Sequence, residues 1–214
     1  MPDLDNYLDE IDAARVSRAR ELSEIKFKFA ESTSSDFLYI YSRAAIVLAY
    51  ASWEGFYNEC VRTYIRFLSD LGKKVREIDW MLLLGAFHSD LESLKDRHHS
   101  DNARIDFIRK LQTLLECGFD KFDGRVIATR SNLDFDRLSQ NYSLLSFDIA
   151  PMQRFRNRLD KELVTWRHSV AHGDPPDLSA VDIASHVDFT GDLLIVLADT
   201  FQAAMLSRNE DGNR

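Results

Sequence analysis

SDFLYIYSRAAIVLAYASWEGFYNECVRTYIRFLSDLGKK, residues 35–74, keeps apolar side chains near helical spacing along its length and contains no proline. This pattern predicts one long helix from about Ser35 to Leu71, with Gly72 as its C-cap. Aromatic side chains form a stripe on it and are expected in the core: Trp53, Phe56, Tyr57 and Tyr64. Glu54, beside them, is either a surface charge or an inward polar partner. We expect this helix to be the central scaffold.

The composition favours helices over sheets. Only eight of the 214 residues are Gly and four are Pro, which leaves few tight turns for a many-stranded sandwich or barrel. Apolar residues at 45% and charged residues at 29% are ordinary values for a globular protein. The length suffices for one good hydrophobic core. We therefore predict an all-α protein that forms a single domain over residues 1–214.

Further helices are predicted on both sides of the scaffold. Helical spacing of apolar residues indicates an amphipathic N-terminal helix at 3–29. A second amphipathic helix, at 149–172, is expected to turn six side chains inward: Phe155, Leu159, Leu163, Val164, Val170 and Ala171. The last helix, at 179–206, starts where Ser179 and Asp182 resemble a shortened capping box. We expect the last two helices to pack with the scaffold, in a core made of about 35–72 and 145–206.

The middle of the chain, about 77–130, is predicted to be a helical insertion into this core. Two stretches in it have helical patterns, EIDWMLLLGAFHSDLESL and NARIDFIRKLQTLLECG, and Gly118 could close the second. The next stretch, FDKFDGRVIATRSNL, contains a turn or short-strand signal. A short helix then follows, with Ser131 or Asn132 as its N-cap.

Charge limits the partners that the chain can bind. A net charge of −8 argues against a generic nucleic-acid binder, since phosphate contacts favour basic surfaces. Any such contact must be local, and one segment does lean basic through Arg154, Arg156, Arg158, Lys161 and Arg167. Most such clusters are solvated faces, so this segment alone does not predict nucleic-acid binding.

Cysteine usage and the terminus indicate an ordinary intracellular protein. Cys60 and Cys117 are too few and too scattered for a disulfide framework or a Cys-based zinc site, so two buried thiols are expected. The acidic start MPDLDNYLDEIDAA lacks the basic and apolar regions of a secretory signal. The longest apolar stretches fall short of the roughly 20 residues of a membrane span. We expect a cytoplasmic protein without membrane contact.

TWRHSVAHGDPP, residues 165–176, gathers polar and titratable groups at the end of a predicted helix. Gly173 and the prolines behind it should end that helix at or near His172. His168 and His172 stand four residues apart and could share one face, as metal ligands do. The zinc-protease motif, however, needs Glu directly after its first histidine, and Ser169 occupies that place. We therefore predict no metal and no cofactor.

Arg167 and His172 are the candidate catalytic pair. Five residues along a continuous helix separate them by about 140°, but termination at His172 leaves its side chain able to swing towards Arg167. Arg supplies a permanent cation that matches phosphate oxygens, and His supplies a proton carrier. These two groups are the minimum needed to cleave RNA without a metal, because the 2′-OH can be the nucleophile. Simple capping of the helix end by basic residues is the alternative, and the pattern alone does not decide between them.

RHSVAHG resembles the signature of the HEPN superfamily, in which Arg, a polar residue and a His lie near the end of the third core helix. Arg167, His168 and His172 fill those places. AYASWEGFYNECVRTYI (49–65) and ATRSNLDFDRL (128–138) resemble stretches of a prokaryotic HEPN-like nuclease subfamily found near defence and toxin–antitoxin genes. Their order and distances also fit, so the resemblance covers roughly residues 35–205.

The resemblance implies an antiparallel HEPN-like helical bundle with a central helical insertion. It also implies a homodimeric, metal-independent RNA endonuclease, in which Arg167 and His172 of two protomers form one catalytic site. His168 and Ser169 would then contact the substrate beside them. A toxin or phage-defence effector would have an antitoxin or defence-system partner protein. The alternative is a non-catalytic HEPN module that binds RNA, a nucleotide or another protein.

Overall fold

The computed structural model describes residues 2–30, 35–96, 100–119, 127, 132–174 and 181–211. Helices make up most of these ranges, and no strand occurs within them. The prediction of an all-α fold is therefore confirmed. In chain order the α-helices are α1 Leu4–Ile25, α2 Ser35–Asp70, α3 Leu83–Ala86, α4 His88–Asp96, α5 Asp101–Leu115, α6 Phe135–Leu145, α7 Ala150–Gln153, α8 Arg156–Arg158, α9 Trp166–His172 and α10 Ile183–Asp211.

Helices α1, α2 and α10 pack against one another and form the centre of the molecule. The predicted aromatic stripe of α2 faces inward, and all four of its rings are fully buried. Their large apolar areas supply much of the free energy that holds the bundle together. The scaffold ends as expected, because Gly72 follows α2 with a φ of +64°, a left-handed conformation that favours glycine.

The N-terminal helix closely follows its predicted range. Asp3 caps α1 by accepting a hydrogen bond from the Asn6 amide, 3.4 Å away. One π-helical turn, Lys26–Ala30, continues the helix beyond Ile25. Arg18 ties α1 to α2 by donating to Glu59 over 2.6 Å.

Gly55 of α2 lies next to the Arg18 side chain of α1. A Cβ at this position would lie 3.2 Å from the Arg18 guanidinium. Glycine therefore leaves room for the arginine that joins the two helices.

The insertion is more broken than its pattern predicts. Two 3₁₀ turns, Val75–Glu77 and Trp80–Leu82, precede α3 and α4, where one helix was expected. The next helix, α5, ends at Leu115 and has Glu116, not Gly118, as its C-cap. A pair of backbone hydrogen bonds explains why α5 ends before Gly118. Val75 donates to the Cys117 carbonyl over 2.9 Å, and Phe119 donates to the Lys73 carbonyl over 3.0 Å. This contact draws the chain out of the helix.

The same contact decides the environment of one cysteine. Cys60 is buried on α2, as expected, but Cys117 is exposed. The prediction of two buried thiols is therefore wrong for Cys117, whose backbone, and not its side chain, joins the body of the protein.

The short helix α6 begins later than predicted. Its N-cap is Asp134, whose side chain accepts from the Arg137 amide over 2.7 Å. Asn132 is therefore not the cap; it has a φ of +53° and its side chain binds elsewhere. Ser131 and the predicted turn or short strand at 119–133 lie mostly outside the described residues.

The predicted helix at 149–172 is divided into α7, α8, a π-helical segment Leu159–Thr165 and α9. Its first part points inward as expected, with these residues buried: Phe155, Leu159, Leu163 and Val164. Val170 is only half-buried, and Ala171 is exposed, so the prediction for Ala171 is wrong. A π turn contains an extra residue, which rotates the following helix away from the face that regular helical spacing assigns.

The last helix, α10, is both strongly apolar and a core element. Asp182 caps its start by accepting from the Ser185 amide over 3.0 Å, whereas Ser179 lies outside the described residues. By length and composition alone, Ile183–Glu210 could cross a membrane. A core helix of a soluble protein passes the same test, and α10 packs against α1 and α2. The absence of membrane contact stays a prediction.

Candidate functional site at the end of α9

Helix α9 ends in a Schellman motif that fixes the backbone around the candidate site. Gly173 has a φ of +81°, its amide donates to the Val170 carbonyl over 3.3 Å, and the Asp174 amide donates to the Ser169 carbonyl over 3.0 Å. The predicted termination at His172 is confirmed. His172 therefore occupies the last helical position, with an exposed side chain.

The two histidines of α9 meet on the surface of the helix. Their ring centroids are 4.3 Å apart at an angle of 51°, and both side chains are exposed. Within the described ranges, no group of three or more His, Cys, Asp or Glu side chains is placed to hold a metal ion. The two imidazole rings are thus accessible from solvent at the end of the helix.

Arg167 points into the body of the protein. Its guanidinium donates to the Asn132 side-chain oxygen over 2.9 Å and lies over the Tyr50 ring, 4.5 Å from the centroid. The side chain is half-buried. A hydrogen bond and a cation–π contact on a planar group restrict its orientation more than either contact would alone.

Leu133 holds the Arg167 partners together. Its amide donates to the Tyr50 hydroxyl over 2.8 Å, and its carbonyl accepts from the Trp53 indole over 3.2 Å. These two buried hydrogen bonds fasten the segment before α6 to α2. Asn132, the preceding residue, is thereby presented to Arg167. Three stretches distant in sequence meet at one arginine.

Glu54 lies beside Tyr50 on the inner side of this cluster. Burial raises the pKa of the Tyr50 phenol, the Leu133 amide lowers it, and the neighbouring Glu54 carboxylate raises it further. The phenol is therefore neutral under ordinary conditions. One Glu54 oxygen, Oε1, is buried without a hydrogen-bond partner among the described residues. Of the two roles left open by the sequence, Glu54 has that of an inward polar residue.

The predicted site residues form two separate groups within one chain. Among the described residues, Arg167 makes no hydrogen bond or ring contact with either histidine. Ser169 is half-buried, and its backbone carbonyl belongs to the helix end. Within one chain, Arg167 therefore contacts Asn132 and Tyr50, whereas His168 and His172 contact each other.

Tyr50 and Asn132 escaped the sequence prediction as partners of Arg167. A signal was present, because they lie in or next to the two stretches that accompany RHSVAHG. Spacing along the chain, however, cannot show that a tyrosine of one helix and an asparagine of a loop face the same guanidinium.

Comparison with protein families identifies the family of the chain. The model of the family described as RiboL-PSP-HEPN matches residues 13–203, which is most of the chain and includes all three stretches. The chain belongs to the RiboL-PSP-HEPN family. No curated protein matches it, and no solved structure does. Membership of the RiboL-PSP-HEPN family supports a nuclease or an RNA-binding-related HEPN module.

Proposed function

We propose that the protein is a metal-independent RNA endonuclease in which Arg167 and His172 of two protomers form a composite catalytic site. The observation that carries the proposal is the placement of the two side chains. Arg167 is held in one orientation by Asn132 and Tyr50, while His172 is exposed at the end of α9. An oriented cation and an accessible proton carrier are the two groups that this chemistry needs.

In the proposed reaction, a 2′-oxygen attacks the adjacent phosphorus and the bond to the 5′-oxygen of the next nucleotide breaks. His172 takes the proton of the 2′-OH while water protonates the leaving oxygen, or it gives a proton to the leaving oxygen while water takes that of the 2′-OH. Arg167 stabilises the negative charge that develops on the phosphate, since its fork matches two oxygens. His168, in ring contact with His172, orients it, and the Ser169 hydroxyl contacts phosphate. No metal or cofactor takes part.

The separation of the two groups supports a homodimer. Because Arg167 and His172 do not contact each other within one chain, a second copy is the simplest source of the missing partner. Pairing two helix ends would also create a local positive cleft on a protein with a net charge of −8. An RNA strand would lie in that cleft.

The first test is cleavage of a defined RNA in the presence of EDTA, followed on a gel. His172→Ala should lower the rate by about 10²–10⁴-fold, the usual cost of removing a general acid or base. Arg167→Ala should act similarly, and Arg167→Lys should recover only part of the rate, because an ammonium makes no bidentate contact. His172→Ala should keep the wild-type melting temperature, because its side chain is exposed. Arg167→Ala should lower it, because the contacts with Asn132 and Tyr50 are lost.

Matched controls are His88→Ala at the start of α4 and Arg109→Ala on α5, which lie outside the candidate site. Both should cleave at the wild-type rate. Cleavage abolished by EDTA and restored by zinc would contradict the proposed mechanism. Full activity of the two site variants would assign the cleavage to other residues.

The second candidate is a non-catalytic HEPN module that binds RNA, a nucleotide or a partner protein. Membership of the RiboL-PSP-HEPN family supports this candidate as well, because the family match is equally consistent with an RNA-binding-related HEPN module. Tight RNA binding by the wild type without any product, and its loss in Arg167→Ala, would select this candidate.

A toxin or phage-defence role, in the cytoplasm and with an antitoxin or defence-system partner, extends the proposal. It rests on the resemblance of the three stretches to nucleases near such genes. Induced expression of the wild type should arrest bacterial growth, and His172→Ala should not. Equal growth of both strains would contradict the toxin or defence role but would not contradict RNA cleavage in vitro.

A further inference from the structure

A cavity of about 340 Å³ lies between the π-helical segment Leu159–Thr165 and the start of α10. Six side chains that matter for its chemistry line it: Arg158, Glu162, Trp166, Asp182, Ser185 and His186. The volume is near the lower end of the range of about 300–1,000 Å³ for small-molecule sites. π turns often mark functional sites in helices.

His186 is the unusual member of this lining. It is only 2% exposed, and neither ring nitrogen has a hydrogen-bond partner among the described residues. The Trp166 indole stacks on it, with 5.8 Å between ring centroids and 28° between planes. A buried polar group without a partner costs about 1–3 kcal/mol, so a well-packed core would not be expected to keep it without a use.

The state of His186 defines what it can bind. Burial lowers the pKa of the imidazole to about 4; Glu162 raises it and Arg158 lowers it. The ring is therefore neutral near pH 7 and offers one donor and one acceptor. A ligand that complements it must accept one hydrogen bond or donate one, away from competing water.

The charges around the cavity favour a ligand that donates hydrogen bonds. Glu162 and Asp182 are acidic, and Arg158, the one cation among the described lining residues, already pairs with Glu162 over 2.8 Å and lies over the Phe189 ring. A phosphate inside the cavity would meet more negative than positive charge. A neutral planar group with ring nitrogens and an amino group would meet the carboxylate acceptors of Glu162 and Asp182 and the Trp166 ring.

We propose that this cavity binds one nucleobase with an exocyclic amino group, namely adenine, guanine or cytosine, carried by the RNA substrate. The inference rests on the proposed function and adds a base preference to it. Trp166 and His172 are the first and last residues of α9, about 9 Å apart along its axis at about 1.5 Å per residue. A bound base would thus lie a short run of nucleotides from the cleaved phosphate, with its own phosphate outside the cavity.

Direct binding tests the cavity independently of cleavage. The probes are adenosine, guanosine, cytidine and uridine, and short RNA strands that differ only in uracil content, mixed with the His172→Ala protein. Fluorescence of Trp166 reports binding, and Trp166→Phe serves to assign the signal. Amino-bearing nucleosides and strands should quench it, and uridine should bind at least tenfold more weakly.

His186→Phe is the deciding variant. It removes both ring nitrogens while nearly keeping the ring shape, so it should weaken nucleobase binding at least tenfold and leave the melting temperature equal or higher, since an unpaired buried polar group is lost. A merely structural histidine would lower the melting temperature when replaced and would leave binding unchanged. His88→Phe, outside the cavity, is the matched control.

The outcomes separate this inference from the proposed function. Equal binding of uridine and guanosine, or wild-type binding by His186→Phe, would overturn the inference even if RNA is cleaved. Binding of free nucleosides but not of RNA would overturn the assignment to the substrate strand. If the wild type shows the expected binding pattern but cleaves no RNA, the nucleobase site would stand and the proposed ribonuclease activity would be wrong.

Discussion

At the scale of the residue, the site depends on one asparagine with a left-handed backbone. Asn132, at a φ of +53°, gives its side-chain oxygen to Arg167, while Leu133 beside it is bound by Tyr50 and Trp53. Asn tolerates this conformation better than most residues. A short polar residue is therefore suited both to the turn and to the arginine.

Asn132→Gly removes only the side-chain amide that contacts Arg167, because glycine accepts a positive φ without strain. We expect RNA cleavage to fall by up to about 100-fold, the effect of a misplaced catalytic group, with little change in melting temperature. Asn132→Asp keeps an acceptor at the same distance and should retain most activity. Wild-type cleavage by Asn132→Gly would show that Arg167 needs no such support.

At the scale of the element, the end of α9 is set by Gly173. Its φ of +81° is strained for any residue with a Cβ, at a cost of about 1–2 kcal/mol. Gly173→Ala should lower the stability by this amount and also move His172, so cleavage should decrease. Thermal denaturation and the gel assay measure the two effects.

Gly72→Ala is the matched control for this prediction. Gly72 has a similar φ, +64°, but ends α2 and lies away from the candidate site. Its replacement should cost comparable stability and leave cleavage unchanged. If both variants lost activity equally, general destabilisation would explain the loss and the geometry of the α9 end would not.

At the scale of the whole molecule, His186 couples the stability of the fold to pH. Burial lowers its pKa from 6.5 to about 4, so the folded state binds fewer protons than the unfolded state between these values. This contribution is fully present above about pH 6.5 and is lost as the pH falls towards 4. It amounts to at most about 3 kcal/mol, at about 1.36 kcal/mol per pKa unit.

Urea denaturation at a series of pH values measures this dependence. The free energy of unfolding of the wild type should decrease from pH 7 to pH 4 by more than that of His186→Phe, which has no group to protonate there. Parallel curves for the two proteins would mean that His186 is hydrated in the folded state and does not carry the effect.

Assembly is the other property of the whole molecule. If two chains share the site, mixing inactive Arg167→Ala with inactive His172→Ala and allowing subunits to exchange should restore part of the cleavage, since mixed dimers contain one arginine and one histidine of wild-type sequence. Light scattering should report a dimer. A monomer at all working concentrations, or no restoration on mixing, would place the site within one chain.

The sequence by itself determined the fold class, the long scaffold of α2 and the termination of α9 at Gly173. These features follow from local rules: apolar periodicity, scarcity of Gly and Pro, and the positive φ that glycine alone adopts easily. The single-domain boundaries at 1–214 and the catalytic roles of Arg167 and His172 stay predictions, because neither follows from local rules.

Only the tertiary structure decided the partners of Arg167, the exposure of Cys117 and Ala171, and the cavity around His186. Each depends on a contact between segments far apart in the chain, or on the extra residue of a π turn. A π turn rotates the helical residues that follow it relative to the preceding ones. The hydrophobic repeat of one helix does not encode which distant side chains those residues will contact.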